Sequence, residues 1–143
     1  MRIVSLNSED CSIIAKFFKE NFSDGWTEEM LLSAFNAGRF NALAAKLGEE
    51  IIGVITFSLS VDSADVEDVV VLKSKRGQGV GSALIEEAVN KIQNAGVKKV
   101  FLEVRENNLS AIGAYKKFGF NQISVRKKYY SDGENALVML KEF

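Results

Sequence analysis

From Val69 to Ser82 the chain reads Val-Val-Val-Leu-Lys-Ser-Lys-Arg-Gly-Gln-Gly-Val-Gly-Ser, and no other segment restricts its fold as much. The apolar run reads as a strand ending, and the glycines lead into a helix start. Such a junction brings backbone close to a ligand and aims free helix N–H groups at an anion. Lys73, Lys75 and Arg76 add positive charge beside it. A phosphate or pyrophosphate site is the natural reading, although a glycine-rich turn without a ligand shares the spacing. A P-loop would need a lysine before Ser82, where Gly81 stands. A dinucleotide fingerprint would begin its glycines directly after the strand. The loop here is longer and its spacing is not G-x-G-x-x-G, while Glu103 further on keeps that reading alive in weakened form.

The rest of the chain surrounds this unit with an α/β pattern. At 143 residues it is expected to be a single domain over 1–143. There is no proline, so element ends are read from Gly, Asn, Ser, Thr and Asp. Ser8 reads as the N-cap of a helix carrying Ile13, Ile14, Phe17 and Phe18, up to Phe22. A loop with Ser23-Asp24-Gly25-Trp26 leads to Thr27, the cap of a short helix whose apolar side is Met30, Leu31, Ala34 and Phe35. Asn41–Leu47 and Ile51–Leu59 read as a hairpin, and Val66–Leu72 as a strand buried on both faces. Ser82–Ala95 is the clearest helix, with Leu84, Ile85, Ala88, Val89 and Ile92 on one side and Gly96 as its stop. Lys98–Val104 follows as a parallel strand reached by a right-handed crossover. Asn108 caps a helix over Leu109–Phe118, and Ile123–Tyr129 with Asn135–Leu140 closes a mixed sheet with helices on both faces.

Composition narrows the chemistry. Zero histidines remove Ser-His and Cys-His catalysis together with the commonest metal ligand, and one cysteine, Cys11, excludes an intrachain disulfide. No metal is therefore expected, and carboxylates, Tyr, Lys, backbone groups or water must move any protons. Ser82 and Ser110, at helix beginnings, read as caps rather than nucleophiles. Net charge is only −1, so direct nucleic-acid binding is not implied. Residues 1–70 carry 5 basic against 12 acidic side chains, whereas residues 71–143 carry 13 against 7. That basic second half suits an anionic ligand, or is a solvated surface. The first residues lack the apolar stretch of a secretory signal and no run is long enough to span a membrane, so a cytoplasmic location is expected.

Two motifs together carry a resemblance. Arg76-Gly77-Gln78-Gly79-Val80-Gly81 fits Arg/Gln-x-x-Gly-x-Gly/Ala, and Asn108, Ala111, Tyr115, Gly119 and Phe120 fit N-x-x-A-x-x-x-Y-x-x-x-G-F. Both patterns, in this order, resemble the GNAT acetyltransferases. Leu102–Asn108, Arg126–Tyr130 and Gly133–Met139 look like the RimI branch, the bacterial ribosomal-protein-alanine N-acetyltransferases. The likeness is strong over 66–140 and looser before it. Leu72-Lys73 replaces the usual Asp-Pro after the strand, and Phe22–Trp26 replaces a tighter Phe-Pro-Trp-like turn.

The resemblance implies the GNAT fold and direct acetyl transfer from acetyl-CoA to an amine. Val69, Val70 and Val71, the loop residues Arg76, Gly77, Gln78, Gly79, Val80, Gly81 and Ser82, and Asn108 would hold the cosubstrate. Tyr115 would donate a proton to the leaving sulfur, although a core aromatic also fits its position. Glu103 interrupts an apolar strand, an expensive place for a carboxylate unless it is paired or functional. The family assigns that position the general base. The structural alternative is an ion pair with Arg105 or a lysine, and Glu67 and Asp68 are backup bases. Trp26, Tyr129 and Tyr130 match the elements between which a peptide N-terminus, such as that of a ribosomal protein, enters, although Trp26 reads equally as a hydrophobic anchor for the helix that Thr27 caps. An α-amine titrates near 8 and a lysine near 10.4, so a water-relayed carboxylate suffices for the former. A small-molecule amine, a lysine, or acetyl-CoA binding without turnover remain as alternatives.

Overall fold

The computed structural model describes residues 1–22 and 26–143. The loop expected at Ser23-Asp24-Gly25 lies outside the described residues. In chain order the elements are β1 (Arg2–Leu6), α1 (Cys11–Asn21), α2 (Glu28–Asn36), β2 (Phe40–Leu47), β3 (Glu50–Leu59), β4 (Ser63–Val71), α3 (Val80–Asn94), β5 (Lys99–Arg105), α4 (Leu109–Lys117), β6 (Asn121–Arg126) and β7 (Ala136–Glu142). The described strands form one sheet in the order β1-β2-β3-β4-β5-β7-β6, antiparallel except for β4 beside β5.

The pleat sends alternate residues of the central strands into two cores. Ala42, Ala44, Val54 and Val70 pack under α1 and α2 with Ile14, Phe18 and Leu31. Leu43, Ala45 and Ile55 pack on the opposite side under α3, where Leu84, Ile85, Ala88, Val89 and Ile92 are all buried. Helix α3 lies so close to β3 that a Cβ at Gly53 would come within 2.9 Å of Val80 and 3.0 Å of Leu84. The missing side chain at Gly53 lets the start of α3 sit against the sheet, which fixes where its free N–H groups point.

Several expected boundaries move, each for a local reason. Asn7, not Ser8, caps the first helical turn: its side chain accepts from Glu9, and Asp10 returns a bond to the Asn7 amide. Thr27 caps α2 through Met30 as expected. Helix α3 begins two residues before Ser82, because Gly79 takes a left-handed conformation (φ 84°) and starts the helix itself. Ser82 is thus inside the first turn, and at α4 the cap is Asn108 rather than Ser110. Strand β4 is not buried on both faces; Asp65 and Glu67 are exposed, and Val69 and Val71 are half-buried along a cleft. Strand β6 ends at Arg126, which leaves Tyr129 and Tyr130 on the loop before β7 rather than in a strand.

Candidate active site

The site arises where the sheet comes apart. Strands β4 and β5 pair only from Ser63↔Lys99 to Val66↔Leu102, although β4 runs on to Val71 and β5 to Arg105. An extra residue at Glu67 interrupts the β3–β4 register: Thr56 faces Asp68 and Phe57 faces Val66. Such a bulge turns the strand, so it locates the start of the gap between the two parallel strands. Beyond it Leu72 donates to the Ile52 carbonyl of β3. Alternation along β4 then turns the Val70 amide toward β3 and leaves those of Val69 and Val71 facing the gap.

Below that gap lies the glycine loop. Gly77 and Gly79 both take φ values near +80° (77° and 84°), and a Cβ at either would meet nothing within 4 Å. The space is open on the ligand side, and the glycines are required by backbone conformation rather than by crowding. Helix α3 has no side chain bonded to its first amides, so they are free to meet an anion. Arg76 donates from Nε to the Val71 carbonyl at 3.2 Å, which ties the loop to the end of β4. Gln78 departs from the expected set: its side chain turns back onto the Ser74 carbonyl at 3.1 Å and does not line the cleft. Val69–Val71, Arg76, Gly77, Gly79–Ser82, Asn108 and Tyr115 border one cleft of about 960 Å³ with Glu103, Tyr129 and Tyr130 at its far end. Its size, free amides and basic rim fit a long pyrophosphate-bearing molecule.

On the other side of Glu103 a second cavity of about 470 Å³ opens, lined by Trp26, Met30, Asp65, Glu67, Asp68, Phe101, Arg126 and Tyr129 among others. The two cavities share Val66, Glu67, Asp68, Leu102, Glu103 and Tyr129. Glu103 therefore stands at the junction of a cosubstrate-sized cleft and an acceptor-sized pocket. Its carboxylate is 27 % exposed, and its ion pair is with Arg126 at 3.1 Å. The expected alternative partner, Arg105, instead bonds Asp132 and Glu134. Asp65 is held above the usual carboxylate range by burial and then by the charge of Glu103. Burial raises Glu67 as well; a hydrogen bond from Ser58 opposes that, and Asp68 and Asp65 add to it. Asp68 is already engaged, accepting from Trp26 Nε1 at 2.7 Å and from Thr56 at 3.2 Å. It serves as a structural acceptor, which makes it a poor reserve base.

Tyr115 is 8 % exposed, with its ring 5.9 Å from that of Phe120. Burial, with Tyr130 nearby, pushes its hydroxyl up to about 12, so it stays protonated at neutral pH. The ring belongs to the core and the residue also borders the cleft. The Trp26 ring packs on Phe40 at 4.9 Å and also borders the second cavity. Hydrogen bonding to Glu103, and then the Glu103 charge, raises the Tyr129 hydroxyl. Cys11, the first residue of α1, is buried and lines neither cavity, and burial raises its thiol. Among the described residues no His/Cys/Asp/Glu group is arranged to hold a metal ion, and no helix is long and apolar enough to cross a membrane.

Sequence reasoning missed Arg126 as the partner of Glu103, Asp65 as a wall of the acceptor pocket, and Ser58 as the donor to Glu67. Alternation along β4 could have placed Asp65 with Glu67; nothing in the spacing joins Arg126 to Glu103.

A split between two parallel strands, free amides at a glycine-led helix and a large adjoining cleft are the arrangement expected of the GNAT fold. The family model for the acetyltransferase (GNAT) family matches residues 11–120, and the chain belongs to that family. It is 32 % identical over 117 residues to the ribosomal protein bS18-alanine N-acetyltransferase of Escherichia coli strain K12, covering 80 % of this chain and 78 % of that enzyme. The crystal structure of the Escherichia coli ribosomal-protein-S18-alanine N-acetyltransferase superposes with a TM-score of 0.88 at 26 % identity, covering 99 % of this chain and 92 % of the other. A nourseothricin acetyltransferase structure matches with a TM-score of 0.68 at 31 % identity, covering 74 % of this chain and 66 % of the other.

Proposed function

We propose that this GNAT acetyltransferase acetylates a protein N-terminal α-amine, with the N-terminal alanine of a small-subunit ribosomal protein as the preferred acceptor. The carrying observation is Glu103 at the junction between the cleft and the pocket, within reach of molecules entering from either side. The likeness to the bS18-alanine enzyme supports the choice of acceptor. In the cytoplasm such an N-terminus would be met as a free protein or during assembly.

Acetyl-CoA bound in the larger cleft supplies an activated acyl group. The free amides at the start of α3, with Arg76 beside them, would hold its pyrophosphate, and Asn108 would border its pantetheine arm. The Val69 and Val71 amides face the gap, where they can donate to the carbonyl oxygen as negative charge develops on it. Glu103 accepts the proton that the amine loses, directly or through one water. Tyr115 supplies a proton to the departing sulfur, a role for which its raised pKa keeps it protonated. The ordered approach of amine and acyl group along one passage contributes positioning that solution chemistry lacks.

A second reading has its own support. Asp65, Glu67, Asp68 and Glu103 face one pocket that contains a single guanidinium, Arg126, a balance that also suits a polyamine or aminoglycoside. An acetyl-CoA consumption assay separates the two, with peptides beginning in Ala, Ser or Met, a blocked lysine peptide, spermidine and an aminoglycoside. Mass spectrometry then locates the acetyl group. Turnover confined to α-amines and fastest with the alanine peptide is expected; turnover only on spermidine, aminoglycoside or lysine discards the proposed acceptor.

A further inference from the structure

The loop from residue 127 to residue 135 carries Tyr129 and Tyr130 between β6 and β7, and it is not held by packing: most of its residues are exposed. It contains Lys128 in the left-handed region at φ 52°, a conformation that costs a lysine about 1–2 kcal/mol. Something outside the loop must therefore keep it in place. The end of β5 provides it. Arg105 Nη1 donates to Glu134 at 2.7 Å and to Asp132 at 2.8 Å, and the same guanidinium lies 4.0 Å from the centre of the Tyr130 ring. Three elements of one short loop thus meet one side chain, which stands two residues from Glu103 on the same face of β5.

The contacts differ in weight. Asp132 is 60 % exposed, so its pair with Arg105 is screened and contributes little. Glu134 is only 18 % exposed, and its second oxygen accepts from the Asn107 amide at 3.3 Å, which fastens the loop to the β5–α4 turn as well. The stacked Tyr130 ring, partly shielded from water, adds a cation–π contact. Inside the loop Tyr130 donates to the Glu134 carbonyl, Gly133 to that of Tyr130, and Lys128 to the Asn135 side chain. Those bonds close the loop on itself. Besides Arg105, the Glu106 amide donating to the Asn135 carbonyl at 3.0 Å and the Tyr129 hydroxyl bonded to Glu103 tie its end and its middle to the body.

We propose that Arg105 is a positioning residue: through Glu134 and Tyr130 it holds the 127–135 loop against the end of β5 and so sets the wall of the acceptor pocket. The inference rests on the acceptor pocket assigned above. Of this loop only Tyr129 lines the acceptor pocket, while Arg105, Tyr129 and Tyr130 border the larger cleft. Arg105 therefore acts on the acceptor through the placement of Tyr129, and its loss reaches the cosubstrate cleft to a lesser degree.

The test compares the full-length protein with Arg105→Lys, Arg105→Gln and Glu134→Gln. Hydrogen exchange of the 127–135 amides is followed first without any substrate, then KM and kcat are measured for acetyl-CoA and for the alanine-initiated peptide. Arg105→Gln is expected to speed loop exchange about tenfold and to raise peptide KM about tenfold, with a smaller rise in acetyl-CoA KM because Arg105 and Tyr130 border that cleft as well. Glu134→Gln reproduces the effect, Arg105→Lys restores part of it, and the Arg105→Gln/Glu134→Gln double variant is no worse than Arg105→Gln alone. Unchanged loop exchange overturns the proposal whatever the acceptor is. Faster exchange with an unchanged peptide KM overturns it too, by separating the loop from acceptor binding. Wild-type protein that shows no turnover on any peptide refutes the proposed function instead, a result visible before any variant is made.

Discussion

The two halves of the site are made of different material. The cosubstrate half is largely backbone: amides of β4 freed by the split sheet, amides at the start of α3, and glycines that keep side chains out of the way. The acceptor half is side chains brought from far apart, with Trp26 before α2, Glu67 and Asp68 on β4, Glu103 on β5, Arg126 on β6 and Tyr129 on a loop. Backbone recognition depends on local geometry that a few adjacent residues can specify. A side-chain pocket depends on tertiary placement and is easily recut for another acceptor while the first half stays the same.

The largest effects should come from Glu103, where the two cavities meet, and from Tyr115, on the wall of the larger cleft. Replacing Tyr115 with Phe keeps the ring against Phe120 and removes only the hydroxyl. Loss of a positioned acid is expected to lower kcat by about 10²-fold or more. Acetyl-CoA affinity, measured by calorimetry, should hardly change; a lowered affinity with kcat intact would make Tyr115 a binding residue. Burial raises its pKa to about 12, so the acid is lost only as pH rises through that value. Any alkaline fall in kcat near neutrality must then come from another group. Glu103→Gln is expected to cost a similar factor of about 10². Its defect should be deepest at low pH, because without a base only the already neutral amine reacts. A pH–rate profile identical to that of the wild type would move the base elsewhere.

Gly79→Ala probes the backbone half alone. Its φ of 84° disfavours any Cβ by about 1–2 kcal/mol, and no protein atom lies within 4 Å of the added methyl. The substitution should raise acetyl-CoA KM about tenfold while peptide KM stays constant, since 1.4 kcal/mol corresponds to a factor of ten. Equal increases in both would show that the halves are coupled through α3. The proposed Arg105 clamp is the mirror experiment, expected to move peptide KM more than acetyl-CoA KM.

This division also explains what could be read from the residues in order. The strand, glycine loop and helix from Val69 to Asn94 were legible because apolar periodicity and Gly79 act over a few positions. So was Asn108 as the cap of α4. The end of pairing at Val66↔Leu102 was not, since it follows from an unpaired Glu67 whose effect shows only against β3. The Arg126–Glu103 pair was hidden because β7 lies between β5 and β6 in the sheet, and chain order does not reveal that β6 is the outer strand. Ser8 reads as a cap from residue type alone; the actual cap, Asn7, is selected by its amide donating to the Asp10 carboxylate, a pairing that only the folded turn reveals.

The smallest expected effect tests whether the acceptor half has its own anchor. Trp26→Phe keeps an aromatic ring that can pack on Phe40, but it deletes the N–H that reaches Asp68 at 2.7 Å. Asp68 would keep its bond from Thr56, so the carboxylate is not left without a donor. The pair is only partly buried, which places the loss near the low end for a hydrogen bond to a charged group, about 1.5 kcal/mol. If that bond holds the pocket wall, peptide KM should rise about tenfold or less, with kcat and acetyl-CoA KM unaltered. A fall in melting temperature with unchanged peptide KM would instead make Trp26 a fastener of α2 to β2. Asp68→Asn sharpens the result, since an amide oxygen can still accept from the indole: peptide KM should rise less than in Trp26→Phe. The reverse order would mean that the Asp68 charge, rather than the Trp26 wall, is what the acceptor meets.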